Sequence, residues 1–267
     1  MAEPTSWLPP THPVTHRPRA TRPGILVRMR VDAGVIGGTG VGERLLHMPG
    51  DGVHVPTPAG FQRGRVIEIG GKSVFAMSRH SAGHKVPPHR VNYAAMALAL
   101  QALGAGACFS TAAVGSFRSE WTPGTLVVCS DFLDASGRYP TLYDRSVVHT
   151  DFGSPFPARE YLLTAAKKEA VEVQDGGVYV CGNGPRYETP EEIRAFAKLG
   201  GDLVGMTAAT EAILMREAGV PYGCLAIVTN LAAGLSDETL DHADVSRVMR
   251  QSGEVALRVL MAAAAEL

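Results

Sequence analysis

Gly34-Val35-Ile36-Gly37-Gly38-Thr39-Gly40 is an apolar strand that opens into a glycine turn. The glycines let backbone N–H groups and the Thr39 hydroxyl approach an anion closely. The spacing matches neither G-x-G-x-x-G nor the lysine-bearing phosphate loop, so by itself the stretch reads equally well as a tight turn after a first strand. Outward from it, short apolar runs rich in Val, Ile and Cys alternate with longer segments of helical period. That is the pattern of an α/β sheet covered by helices on both faces. The runs expected as strands are 33–36, 73–77, 107–112, 126–132, 177–180, 203–206 and 222–229. Residues 92–103 read as a helix stopped by Gly104. Thr189-Pro190-Glu191-Glu192 supplies an N-cap, a first-turn proline and a glutamate at the third helical position, a capping box. Its helix is expected to reach about residue 199 and to close at Gly200-Gly201. Further helices are expected over 211–218 and 243–265, with Thr210 able to cap the first of these. The Pro-, Asp- and Tyr-rich stretch 134–157 reads as an excursion from the sheet, and long loops of that kind often carry function.

The chain has 267 residues, 45% of them hydrophobic and 19% charged, which fits one α/β domain over 31–267 with a full core. A formal net charge of −1 lacks the basic balance of a nucleic-acid binder and leaves small molecules and small anions as the expected ligands. Cys108, Cys129, Cys181 and Cys224 sit in or beside apolar runs without a CxxC pair, as buried free thiols of a reducing cytoplasm would. No stretch approaches the roughly 18 apolar residues of a membrane span. Residues 1–30 are rich in Pro, His, Thr and Arg and carry no apolar segment of an export signal, so a flexible basic extension and a cytoplasmic location are expected. The histidines show no HExxH or Cys/His spacing, and no metal or organic cofactor is expected.

Several strand ends carry groups suited to chemistry. Ser78-Arg79-His80-Ser81-Ala82-Gly83-His84 places a guanidinium and imidazoles on a loop after a strand, where the Arg fork suits phosphate. Ser110-Thr111-Ala112-Ala113-Val114-Gly115-Ser116 turns at another strand end, and an ordinary apolar strand explains it equally. Glu188 precedes a helix whose dipole favours a carboxylate, Asn230 precedes a turn, and Met206 suits a core. Each is unremarkable in isolation.

Taken in order, Gly182-Asn183-Gly184-Pro185-Arg186-Tyr187-Glu188-Thr189, Gly205-Met206-Thr207 and Thr229-Asn230 resemble the base and sugar site of the trimeric purine nucleoside phosphorylases, a family that also includes methylthioadenosine and methylthioinosine phosphorylases. The resemblance runs from about Val31 to the C-terminus and implies a single-domain mixed sheet of the nucleoside phosphorylase kind. It implies phosphate contacts from Thr39, Arg79, His80, the Ala113 backbone N–H and Thr207. Tyr187 would stack on the base, Met206 would lie under the ribose, and His242 would meet the ribose 5′-hydroxyl. Ser81 stands for the family's Gly, Ala112 for Asn or Thr, and Ala209-Thr210-Glu211 for Val-Pro-Glu. In His149-Thr150-Asp151-Phe152-Gly153-Ser154-Pro155-Phe156, similar to the segment that one subunit inserts into its neighbour, His149 and Phe156 would complete the adjacent site of a homotrimer or a dimer of trimers.

The base site has a chemical logic. A 6-oxopurine presents an N1–H donor and an O6 acceptor with N7 beside it, matched by an ionised Glu188 and by the amide of Asn230. Adenine would set its N1 lone pair against Glu188. The implied reaction is reversible phosphorolysis of a purine nucleoside, with inorganic phosphate as co-substrate and His80, Glu188 and Asn230 as the acting side chains. The alternatives are a methylthioinosine, methylthioadenosine or other 5′-deoxynucleoside phosphorylase, a nucleosidase that uses water, and a silent nucleoside-binding protein.

Overall fold

The computed structural model describes residues 29–236 and 242–267, with the side chains of 242–244 outside the description. Apart from Met29 and Arg30, the extension expected over 1–30 lies outside the described residues. The elements follow in the order β1 (Ala33–Gly37), α1 (Val41–His47), β2 (Asp51–Thr57), β3 (Gly60–Ile69), β4 (Lys72–Ser78), α2 (Tyr93–Leu103), β5 (Ala107–Ser116), β6 (Leu126–Val128), β7 (Asp131–Asp134), α3 (Arg159–Lys168), β8 (Gln174–Asp175), β9 (Val178–Cys181), α4 (Pro190–Lys198), β10 (Leu203–Gly205), α5 (Ala208–Glu217), β11 (Tyr222–Leu231) and α6 (His242–Ala265).

The strands form one mixed sheet in the order β2-β3-β4-β1-β5-β10-β9-β7, with β11 on β5, β6 on β11 and β8 on β6. Period-two alternation distributes the strand side chains between two cores. Ile36, Cys108, Ala112, Tyr222, Cys224 and Ala226 pack with α2 and α5, whereas Val35, Phe109, Leu225 and Ile227 pack with α1, α3 and α6. Helices therefore cover both faces, as the alternating pattern requires. All four cysteines are buried and free; burial lifts the Cys181 thiol to about 11, and Cys108 rises for the same reason, so both stay protonated. Among the described residues, no helix is long and apolar enough to cross a membrane.

Three strands, β2, β3 and the two-residue β8, and two helices escaped the sequence reading for physical reasons. β2 and β3 form an antiparallel hairpin of which only Val55, Gln62 and Ile67 are buried, so they carry no apolar run of a buried strand. Its turn is fixed by Thr57, whose hydroxyl donates to the Gly60 carbonyl at 2.6 Å. Helices α1 and α3 bury only a few residues each. The run 126–132 is two strands: β6 pairs with β11, and after Cys129-Ser130 the chain changes neighbours and β7 pairs with β9.

Candidate active site

The cavity lies where the sheet divides. β11 follows one edge of β5 from Cys108 to Ser116, while the other edge has two successive partners. β1 pairs up to Ser110, and β10 begins at Gly115. Over Thr111–Val114 that edge has no strand partner, and a cavity of about 400 Å³ opens there, within the range of small-ligand sites. The Thr111 carbonyl faces the open edge, where Arg79 Nη1 donates to it, and the Val114 carbonyl faces β11, where the Thr229 hydroxyl reaches it. Backbone groups alternate along a strand, so the Ala113 N–H points to the open edge.

A buried ion pair fixes the cationic part of the wall. Arg79 Nε donates to Glu211 Oε1 at 2.5 Å and Nη2 to Oε2 at 2.9 Å, with both side chains 1% exposed. Tyr222 adds a hydroxyl to Oε2 at 2.6 Å and lies 2.5 Å from the Ser110 hydroxyl. Burial opposes the guanidinium charge, but the attraction of Glu211 and its hydrogen bonds outweigh that and raise the pKa of Arg79 further. These bonds use three of the five N–H groups and leave one on each terminal nitrogen for a ligand of the cavity that Arg79 lines. Gly38 must be glycine: a Cβ there would stand 2.4 Å from Arg79 Nη1. The Gly38 N–H donates to the Thr111 hydroxyl at 3.1 Å, drawing the turn that carries Thr39 onto β5. Thr207 occupies the N-cap of α5 without a side-chain capping bond, and the Tyr179 hydroxyl accepts its N–H at 3.2 Å. The field of that helix N-terminus favours an anion.

The acidic part of the wall comes from the loop after β9. Thr189 and Glu192 form the expected capping box, the Thr189 hydroxyl accepting from Glu192 N at 3.2 Å and Glu192 Oε2 from Thr189 N at 2.7 Å. That anchors the chain directly after Glu188. The Glu188 carboxylate folds over Gly182, where a Cβ would come within 2.5 Å of Oε1. Burial pushes the Glu188 carboxyl above the usual carboxylate range. Gly182 N donates to Gly205 O at 2.8 Å, so this loop sits beside the segment carrying Met206. Asn230 is aimed by a bulge: the register of β11 on β5 shifts between Val228 and Asn230. Its Oδ1 accepts from the Thr229 hydroxyl at 2.8 Å and its Nδ2 donates to the Leu231 carbonyl at 2.8 Å, leaving the second amide N–H for a ligand.

Of the residues singled out in the sequence, Thr39, Arg79, Ala113, Tyr187, Glu188, Met206, Thr207 and Asn230 line one cavity. His80 does not. Its Nδ1 donates to the Val86 carbonyl at 2.8 Å and its ring stands against that of His84 at 4.4 Å. His84 and Lys85 take the place on the wall, carried there by a turn in which Ser81, Gly83 and His84 all have positive φ. Phe156 is also corrected: it is 1% exposed and packs against Phe132 and Tyr222 of its own chain, so it cannot enter a neighbour. His149 is exposed in the excursion after β7. The His242 side chain lies outside the described residues; Val245 of the same helix lines the cavity. Helix α5 starts at Ala208, three residues before the expected 211, so Thr210 lies inside its first turn and accepts a hydrogen bond from Arg138 at 3.1 Å instead of capping. Sequence reasoning gave Glu211 no role in the site and did not single out Arg138. A buried carboxylate for Arg79 has no local sequence signal when the partners are 132 residues apart.

Comparison with known proteins agrees with this geometry. A protein of Methanopyrus kandleri named "Probable S-methyl-5'-thioinosine phosphorylase" is 45% identical over 210 residues, covering 77% of this chain and 81% of that protein. The 6-oxopurine nucleoside phosphorylase of Pyrococcus furiosus is 39% identical over 243 residues, covering 86% and 90%. Among solved structures, methylthioadenosine phosphorylase from Schistosoma mansoni in complex with adenine superposes with a TM-score of 0.83 at 30% identity, over 89% of this chain and 91% of that one. The family model described as Phosphorylase superfamily matches residues 32–265, and the chain belongs to that superfamily.

Proposed function

We propose that this enzyme is a purine nucleoside phosphorylase with a preference for 6-oxopurines. The observation that carries this reading is the joining, in one cavity, of a carboxylate-backed guanidinium beside Thr39 with the Glu188 and Asn230 pair. Phosphate is held by Thr39, Arg79, the Ala113 N–H and Thr207, with His84 and Lys85 adding donors from the turn after β4. Its oxygen bonds to C1′ as the C1′–N9 bond breaks, the electron pair leaves with the base, and the base takes up a proton. Positive charge on the ribosyl ring is met by the phosphate, and charge gathering on the base by the Asn230 amide. Glu188 accepts from N1–H and Tyr187 lies along the base. The products are the free base and ribose 1-phosphate, with no protein nucleophile.

A second reading concerns the 5′ substituent. Val245 gives the cavity an apolar group from α6, which favours a 5′-methylthio group over a 5′-hydroxyl, and the name of the Methanopyrus kandleri relative points the same way. The homotrimer, or a dimer of trimers, in the cytoplasm belongs to the same proposal. The exposed Val147 and Val148 beside His149 support a neighbour's covering that stretch. The test is chromatography of hypoxanthine and of the sugar phosphate, ribose 1-phosphate from inosine and 5-methylthioribose 1-phosphate from methylthioinosine, with and without phosphate. Release that continues unchanged without phosphate makes the protein a nucleosidase and refutes the proposal.

A further inference from the structure

We propose that Arg138 is a positioning residue that joins three segments of the cavity wall and so sets affinity and selectivity for the base. This rests on the phosphorylase reading above. Arg138 lies in the excursion after β7, is half-buried and does not itself line the cavity. Its Nε donates to Asn183 Oδ1 at 2.9 Å, and Nη2 donates to the carbonyls of Asn183 and, at 3.4 Å, of Gly182. Nη1 reaches the Met206 carbonyl at 2.8 Å, the Thr210 hydroxyl at 3.1 Å and the Tyr93 hydroxyl at 3.3 Å. The guanidinium also lies 5.5 Å from the centre of the Tyr93 ring, a cation–π contact.

Each acceptor leads to the wall. Gly182 and Asn183 open the loop that carries Tyr187 and Glu188, and Gly182 is the floor against which the Glu188 carboxylate rests. The Met206 carbonyl belongs to the residue expected under the sugar, and Thr210 to the first turn of α5. Tyr93 passes the link on, since its hydroxyl donates to the Pro88 carbonyl at 2.8 Å and Pro88 lines the cavity. Charge-assisted bonds to several carbonyls hold a loop more firmly than neutral ones, and a planar fork fixes their relative positions. None of these bonds involves Thr39, Arg79 or Ala113. The Met206 carbonyl adjoins Thr207 and Thr210 lies in the first turn of α5, so the effect of Arg138 falls mainly on the base and sugar part of the site and reaches the phosphate part only indirectly, through Thr207.

The test is to compare Arg138→Met and Arg138→Lys with wild type for inosine KM, phosphate KM, kcat, hypoxanthine Kd by calorimetry, the inosine-to-adenosine ratio of kcat/KM, and Tm. Arg138→Met is expected to raise inosine KM and hypoxanthine Kd about tenfold or more and to narrow the base preference, through loss of charge-assisted bonds to the loop. Phosphate KM should stay within about twofold. Arg138→Lys should recover part of the loss, because an ammonium keeps the charge without the fork. Unchanged hypoxanthine Kd, or a phosphate KM that rises in equal measure, overturns the proposal. If Arg138→Met does not fold, Asn183→Ala removes one side-chain acceptor and should raise inosine KM about threefold or more; no change there also overturns it. A wild-type protein that cleaves no purine nucleoside refutes the functional reading itself, whereas an active wild type with an indifferent Arg138→Met refutes only the role of Arg138.

Discussion

Replacing Glu211 with Gln puts the buried pair under the strongest test. Arg79 donates to both carboxylate oxygens at 2.5 and 2.9 Å, Tyr222 donates to Oε2 at 2.6 Å, and each side chain of the pair is 1% exposed. An amide keeps one acceptor and turns the other oxygen into a donor. Whichever way it flips, an NH₂ faces an N–H of Arg79. The guanidinium charge then stays buried with no anion beside it, and losing one member of a buried pair costs about 3–5 kcal/mol. The acceptor that remains places this variant near the lower end, about 3 kcal/mol, or roughly 6–12 °C in Tm for a domain of this size. Exposed pairs such as Arg194 with Glu191 are screened by water, so Glu191→Gln serves as a control that should leave Tm unchanged. The assay is thermal and urea unfolding without and with phosphate. Phosphate supplies the missing negative charge, so it should raise Tm more in Glu211→Gln than in wild type. A variant within about 0.5 kcal/mol of wild type would refute the reasoning about the pair. A smaller phosphate-induced shift would show that Arg79 does not face the anion.

Three further perturbations address the base side. A carboxyl whose pKa is raised on folding, as burial raises that of Glu188, stabilises the fold below its unfolded pKa, and this contribution is lost as pH rises through its folded pKa. At pH 7 the ionised group is thus a cost: Glu188→Gln should melt higher than wild type there while binding hypoxanthine more weakly, and a lower Tm would contradict this. In wild type, the acid limb of nucleoside kcat/KM should lie above the ordinary carboxylate range and vanish in Glu188→Gln, which a pH–rate profile checks. Gly182→Ala sets a methyl 2.5 Å from Glu188 Oε1 and must displace the carboxylate, so inosine KM should rise about tenfold at unchanged phosphate KM. Thr189→Ala removes the capping box and should cost about 1 kcal/mol in urea unfolding, an unchanged midpoint being the contrary result.

The parts legible in the sequence are those whose physics is local. Buried central strands such as β1 and β11 show as apolar runs, and α4 is announced by its own cap. The hairpin β2–β3 buries few of its residues and hence has no such signal. In the site, Thr39, Met206 and Asn230 sit at strand ends and Glu188 directly before the capped start of α4, places where motif reading works, and all reach the cavity. His80 and His84 are interchangeable by sequence, and only the positive-φ turn decides which imidazole faces inward. Phe156 was misread because its burial depends on Phe132 and Tyr222, far away in the chain. Glu211 and Arg138 act through partners on other elements, and the fold alone makes them neighbours.

The central claim, one cavity that binds phosphate and reads a 6-oxopurine, is tested most directly by kcat/KM for inosine and adenosine, measured side by side with phosphate saturating and absent, in wild type and Asn230→Asp. Adenine would leave Glu188 opposed to a lone pair, so wild type should prefer inosine about ten- to a hundredfold and release no base without phosphate. Asn230→Asp should narrow that preference by accepting from the 6-amino group. Equal handling of the two nucleosides by wild type, or base release indifferent to phosphate, would contradict the account.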